Sequence, residues 1–160
     1  MTFDDVMDEW KLLSDVQATK YLINLLLQIA QGLFEMEKEW GIYHNDLHLG
    51  NIMARKLKNG DYQWSIIDWG RATIQRDGCY KANQVFNIKN GLAYGQLKMA
   101  NYPIAPTSEK QYSHANSGGD FVCLLIMIKK ELYLRKLIEK NSKLKKILDP
   151  WIPKPEIKGD

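Results

Sequence analysis

Cysteine is scarce in this chain. Cys79 and Cys123 stand far apart and form no Cys-x-x-Cys pair, which argues against a disulfide framework or a metal ribbon. Such usage fits a reducing, intracellular setting, cytoplasmic or nuclear, with both thiols acting as small buried hydrophobes. Charge of one sign is not in excess either. Twenty-two Lys and Arg against 19 Asp and Glu leave a net charge of +3, too mild to argue for a nucleic-acid partner. No apolar run is long enough to span a bilayer: the longest, Phe121 to Ile128, falls far short of the roughly 20 residues required. The opening Met1-Thr2-Phe3-Asp4-Asp5 is acidic and has no secretory apolar region. Internal repeats and low-complexity segments are lacking too. These absences leave a soluble, non-secreted protein without a membrane partner. Its 160 residues suit one domain, 1–160, with a core that needs no disulfide or structural metal.

What is present is mainly helical patterning. Thr2 followed by Asp5 marks a helix start, and Phe3, Val6 and Trp10 follow at helical spacing. Ser14 with Gln17 makes a second capping box. From there Ala18, Tyr21, Leu22, Leu25, Leu26, Ile29, Ala30, Leu33 and Phe34 recur at three-and-four spacing. The spacing predicts a long helix that stops at Trp40-Gly41. Residues 52–57 and 62–67 read as two strands around Asn59-Gly60, a strong short hairpin signal. Residues 71–119 are rich in Asn, Gly, Tyr and Pro and read as irregular, which in a compact domain marks a functional segment or one that hides short elements. Asp120 opens a third helix, from Phe121 to about Leu137. In the lysine-rich end, Lys129, Lys130, Lys136, Lys140, Lys143, Lys145 and Lys146 oppose Leu134, Leu137, Ile138, Leu144, Ile147 and Leu148. That arrangement reads as a solvated helix face, with Trp151 packed against the domain.

The hairpin carries a geometric expectation. A two-residue Asn59-Gly60 turn pairs Lys58 with Asp61 and, down the ladder, Asn51 with Asp68. Directly opposite residues hold their Cβ atoms about 4.5–5.5 Å apart. An amide oxygen and a carboxylate side by side suit magnesium, which keeps waters and takes its other ligands from phosphates. Asp46, in the loop before the hairpin, reaches the same place. Asn and Asp at strand ends also serve as turn and capping residues, so the pair alone leaves both readings open.

The segment His44-Asn45-Asp46-Leu47-His48-Leu49-Gly50-Asn51 resembles the catalytic loop of protein kinases, and Asp68-Trp69-Gly70 resembles their metal-binding Asp-Phe-Gly turn. Order, separation and loop–strand–turn–strand context agree with that family. The resemblance implies an α+β, mainly helical fold: a kinase-like large lobe with catalytic loop 44–51, metal-binding turn 68–70, activation or substrate segment 71–119 and helical remainder 120–150. It implies that Asp46 orients the attacking hydroxyl and accepts its proton, and that Asn51 and Asp68 hold Mg2+ on the phosphates of ATP. Gly70 would permit the backbone turn after the metal ligand, and His44 would pack or bond the loop backbone. Asn45 replaces the arginine that receives an activation-loop phosphate in the family. His48 stands where serine/threonine kinases carry a lysine, either as a pH-sensitive phosphate contact or as a structural hydrogen-bonder.

Asp-Leu-His-Leu-Gly-Asn, Ser65-Ile66-Ile67-Asp68 and Arg76-Asp77-Gly78 look like haspin-type kinases, including those of large DNA viruses, in which case the host cell is the setting. Ile67-Asp68-Trp69-Gly70-Arg71-Ala72 also looks like aminoglycoside phosphotransferases. Those carry a further aspartate within about a dozen residues of the metal ligand, where this chain has Tyr80. Asp120 is the better candidate, either to anchor the catalytic loop or as a plain N-cap. Ala105-Pro106 with Glu109 only loosely echoes the family's Ala-Pro-Glu. No glycine-rich loop, Val-Ala-x-Lys strand or partner glutamate precedes the long helix, so the small lobe is expected from a missing N-terminal segment or a partner polypeptide. Three functions follow: an ATP- and magnesium-dependent serine/threonine-type protein kinase, a catalytically impaired kinase-like binding module, and a small-molecule kinase.

Overall fold

The computed structural model describes residues 1–76, 79–82 and 118–151, with side chains left out for 75–82. The expected substrate segment over 83–117, the Arg76-Asp77-Gly78 motif, the Ala105-Pro106-Glu109 echo and the side chains of Cys79 and Tyr80 lie outside what is described. The fold is α+β and mainly helical. Helices α1 (Phe3–Lys11) and α2 (Asp15–Trp40) come first, then strand β1 (Ile42–Tyr43), a hairpin of β2 (Ile52–Lys56) and β3 (Tyr62–Ile66), strands β4 (Thr73–Arg76) and β5 (Cys79–Ala82), and helices α3 (Gly119–Lys130), α4 (Leu132–Lys140) and α5 (Ser142–Leu148). Two antiparallel sheets form, β2-β3 and β1-β4-β5. Strands thus occupy part of the stretch that reads as irregular in sequence.

The helix signals act as expected at α1 and α2. Thr2 Oγ1 accepts from Asp5 N–H while the Asp5 carboxylate accepts from Thr2 N–H, closing a capping box. Ser14 caps α2, and Gly41 ends it at φ 61, a left-handed conformation that suits glycine. Further on the expectations fail. The third helix breaks at Glu131, whose extended backbone ends α3 and whose carboxylate accepts from Tyr133 N–H to start α4. Ile147 and Trp151 are exposed rather than packed.

The hairpin is anchored by aromatic packing and by two amide side chains. Phe3, Trp10, Tyr21, Tyr62 and Trp64 form one cluster, with Tyr21 and Tyr62 edge to face at 5.0 Å. Gln28 of α2 donates to Tyr62 O (2.9 Å) and accepts from Trp64 N–H (3.1 Å), so it closes the backbone edge of β3. Asn24 Oδ1 accepts from Trp64 Nε1–H. Leu22, Leu25 and Ile29 of α2 meet Leu124, Leu125, Ile126 and Ile128 of α3 and Leu134 and Leu137 of α4 in one core.

Trp10 is the centre of the aromatic cluster, fully buried against four other rings. Trp10→Ala is expected to destabilise the fold by about 3–5 kcal/mol, the range for emptying a large aromatic site. Urea unfolding followed by circular dichroism measures it.

Candidate active site

The hairpin register differs from the expected one. Ile52 pairs with Ile66 and Lys56 with Tyr62, so the loop closes between Leu57 and Asp61 and holds three residues. Only Gly60 takes a positive φ there, at 85°. Asn59 instead uses its side chain, Oδ1 accepting from Asp61 N–H, which is turn chemistry rather than a two-residue primed turn. The ladder is therefore shifted by one: Ile67 N–H donates to Asn51 O at 3.0 Å. Asn51 and Asp68 are not directly opposite, and Asp68 lies one residue beyond the pairing.

The loop carrying Asp46 is held from α3. His44 N–H donates to Asp120 Oδ2 at 2.6 Å and Asn45 N–H to Asp120 Oδ1 at 2.8 Å. Asp120 is not the N-cap: Gly118 takes that position, at φ 71, without a side-chain cap bond. Of the two roles open to Asp120 in sequence, the structure has the anchor. Burial pushes the Asp120 carboxyl above the usual range, and the two amide donors pull the other way.

His44 is fully buried and links the loop to the segment after β3. Its Nε2 bonds Ile67 O at 2.9 Å, and its Nδ1 accepts from Asp46 N–H. Together these bonds specify the Nε2–H tautomer. The ring also packs on Trp69, centroids 4.8 Å apart. Asn45 makes the second link. At φ 64 it turns its amide Nδ2 to within 3.2 Å of Tyr43 O and Arg71 O and 2.9 Å of Thr73 Oγ1. Asn45 thus ties β1, the 69–71 turn and β4 together.

Asp46 is buried, and Arg71 Nε approaches its Oδ2 at 3.4 Å. The Asn51 side chain is buried too, its Nδ2 donating to Asp46 O at 3.0 Å. That bond fixes the amide and assigns Oδ1 as its remaining polar atom. Asp68 is exposed at φ 59, and its Oδ1 accepts from Gly70 N–H at 3.4 Å. The backbone inversion therefore falls on Asp68, not on Gly70. A Cβ at Gly70 would sit 3.2 Å from Asp68 Oδ1, so a larger residue there would press on that carboxylate.

Among the described residues no group of three or more His, Cys, Asp or Glu is placed to hold a metal. What Asn51 and Asp68 offer is hard oxygen donors, from a buried amide and an exposed carboxylate that are not paired across the hairpin. Oxygen donors of this type suit magnesium, which draws most of its shell from water and phosphate, rather than zinc.

His48 Nδ1 accepts from Gly50 N–H at 3.1 Å, and a Cβ on residue 50 would lie 3.0 Å from His48 Cε1. Glycine is therefore required for that approach. Burial holds the His48 imidazole below its ordinary value, opposed by the charges of Asp46 and Asp68. Burial pushes the Cys123 thiol up to about 12, with Asp120 and Asp46 adding to the effect, so it stays a thiol beneath the loop.

Sequence reasoning did not single out Arg71, Thr73 or the bridging role of Asn45. The cation three residues after Asp68 is the signal for Arg71. Nothing in the sequence marks Thr73.

Compared with known proteins, the chain matches no family model, no curated protein and no solved structure.

Two outcomes follow. Asp120→Asn replaces an acceptor of two N–H groups by an amide with one oxygen, and is expected to cost about 1–3 kcal/mol and to speed amide exchange at His44 and Asn45. In an NMR titration His48 is expected to protonate below the ordinary imidazole range. Asp46→Asn should lower that midpoint further, because it removes a charge that favours the imidazolium.

Proposed function

We propose that residues 1–160 form the catalytic and magnesium-binding half of an ATP-dependent phosphotransferase that acts on protein serine or threonine hydroxyls. The observation that carries this reading is the double fastening of the Asp46 loop. Asp120 holds its backbone from below, and the His44 ring ties it to Ile67, next to Asp68. A carboxylate that must orient a hydroxyl and receive its proton needs such fixed placement, since a displacement of about 1 Å can cost on the order of 100-fold in rate.

Each residue then has a task. Asp46, buried beside Arg71, accepts the hydroxyl proton as the oxygen attacks. Asn51 and Asp68 would hold magnesium. Bound there, the ion neutralises phosphate charge and aligns the transferring group. His48 has its Nδ1 engaged by Gly50 N–H, which leaves Nε2–H to donate to a phosphate oxygen. The small lobe that grips ATP from above is not among these 160 residues. The reading therefore needs it from a further segment or from a partner polypeptide.

The test uses the tagged protein expressed in its native cell, in whatever length or complex it occurs. It is supplied with magnesium, γ-labelled ATP and a mixed protein acceptor such as histone. Label on serine or threonine is expected. Asp46→Asn and Asp68→Asn should each lower transfer by more than about 100-fold, the scale of lost general-base and charge-stabilising groups. Undiminished transfer by both variants would overturn the assignment. No transfer in any form, with a co-purifying partner retained equally by wild type and both variants, would favour a binding module instead.

A further inference from the structure

The long helix α2 carries apolar residues away from its core side: among the described residues Val16, Leu27 and Phe34 are exposed, and Ile23 and Ala30 are half-buried. Its core side carries Ala18, Leu22, Leu25 and Ile29. On the opposite side, Val16, Lys20, Ile23, Leu27, Ala30, Phe34 and Glu37 succeed one another at alternating spacings of four and three. That is the a/d seam of a coiled coil. Val16 is 82% exposed, Leu27 66% and Phe34 63%. Lys20 and Glu37 bracket Ile23, Leu27, Ala30 and Phe34, and Val16 lies one seam position before Lys20.

The seam is complementary to itself read backwards. In antiparallel coiled coils each a layer meets a d layer of the partner helix. Laid against a second copy about a two-fold axis near Gln28 and Ile29, the seam puts Lys20 opposite Glu37, Ile23 opposite Phe34 and Leu27 opposite Ala30. Each charge meets its opposite, and the small Ala30 faces the larger Leu27. A groove of about 330 Å³, lined by Val16, Thr19, Ile23 and Asn141 among others, flanks the layer that would receive the partner's phenyl ring. Present commitments of the end residues are light. Lys20 lies 3.8 Å from Asp61, and Glu37 accepts from Gly118 N–H with Oε2 alone.

We infer that α2 is the dimerisation helix of this protein, pairing antiparallel with α2 of a second copy. A closed, isologous interface of this kind uses the same patch twice. The inference is independent of the phosphotransferase reading, and it stands or falls on association alone.

Sedimentation equilibrium on the full 160-residue chain tests it. Wild type is expected to be a dimer at micromolar concentration. Leu27→Glu should be a monomer with an unchanged circular dichroism spectrum, because Leu27 contributes little to the core. Lys20→Glu should weaken association by about tenfold, since it sets two like-charge pairs face to face. Lys20→Glu combined with Glu37→Lys should restore it, a rescue that only the antiparallel pairing supplies. A wild type that stays monomeric to about 100 µM, weaker than ordinary specific association, would overturn the inference. So would dimerisation unmoved by Leu27→Glu, or failure of the double variant to recover.

Discussion

One carboxylate holds the candidate site together. Asp120 comes to the loop from 75 and 76 residues away in sequence, and its two oxygens take the N–H groups of Asn45 and His44. Hydrogen bonds to an ionised acceptor are worth about 1.5–3 kcal/mol each, and a buried donor left unmet costs a similar amount. Burial works against the charge, as the raised Asp120 carboxyl shows. The arrangement holds because each group satisfies the other: the carboxylate has two donors, and two loop amides have an acceptor. From those two residues the loop is tied onward to the segments after β3. The His44 ring reaches Ile67, and the Asn45 amide reaches Tyr43, Arg71 and Thr73.

Two residues at the site carry backbone conformations that side chains resist. Asn45 and Asp68 are the non-glycine residues with positive φ among those described. Such a conformation costs on the order of 1 kcal/mol or more, least for Asn and Asp. Both are compensated locally. Asn45 gains three amide contacts, and Asp68 caps the short turn that follows through Gly70 N–H. The strain falls on the two segments that present Asp46 and the Asn51–Asp68 pair. Those segments are therefore fixed by surrounding bonds rather than by regular strand or helix, which suits a site that must hold its geometry before a ligand arrives.

Much of this was legible in the residues. The capping box at Thr2, the cap at Ser14, the glycine stop at Gly41 and the three-and-four spacing between them specify α1 and α2, because helix ends and faces are local properties. The presence of the hairpin was equally legible; its register was not. Asn-Gly suits a two-residue primed turn, yet here Asn59 bonds Asp61 through its side chain while only Gly60 goes left-handed, and the ladder moves by one residue. The break at Glu131 was hidden because its residue types continue the helical pattern. The bridging by Asn45, Arg71 and Thr73 was hidden for a different reason: it is made by contacts across the fold, and spacing along the chain carries no record of them. Asp120 stood out only through a resemblance, and only the folded chain decides between cap and anchor.

Helix α2 illustrates how one element serves more than one constraint. Its core face is fixed by what it must carry: Gln28 closes the β3 edge, Asn24 holds the Trp64 indole, and Leu22, Leu25 and Ile29 meet α3 and α4. Those demands leave one side of a helix about 39 Å long without a part in the core. They account for none of Val16, Leu27 or Phe34, which the fold leaves open to water. Phe34 has found a partial shelter under Lys38, whose Nζ stands 5.5 Å from its ring centre, a contact worth little at an exposed site. A single exposed leucine is ordinary on a protein surface, but three large exposed apolar residues on one side of one helix are less so. The core of the domain would be as well packed with polar residues at those positions. Their apolar side chains therefore have no task in packing that core.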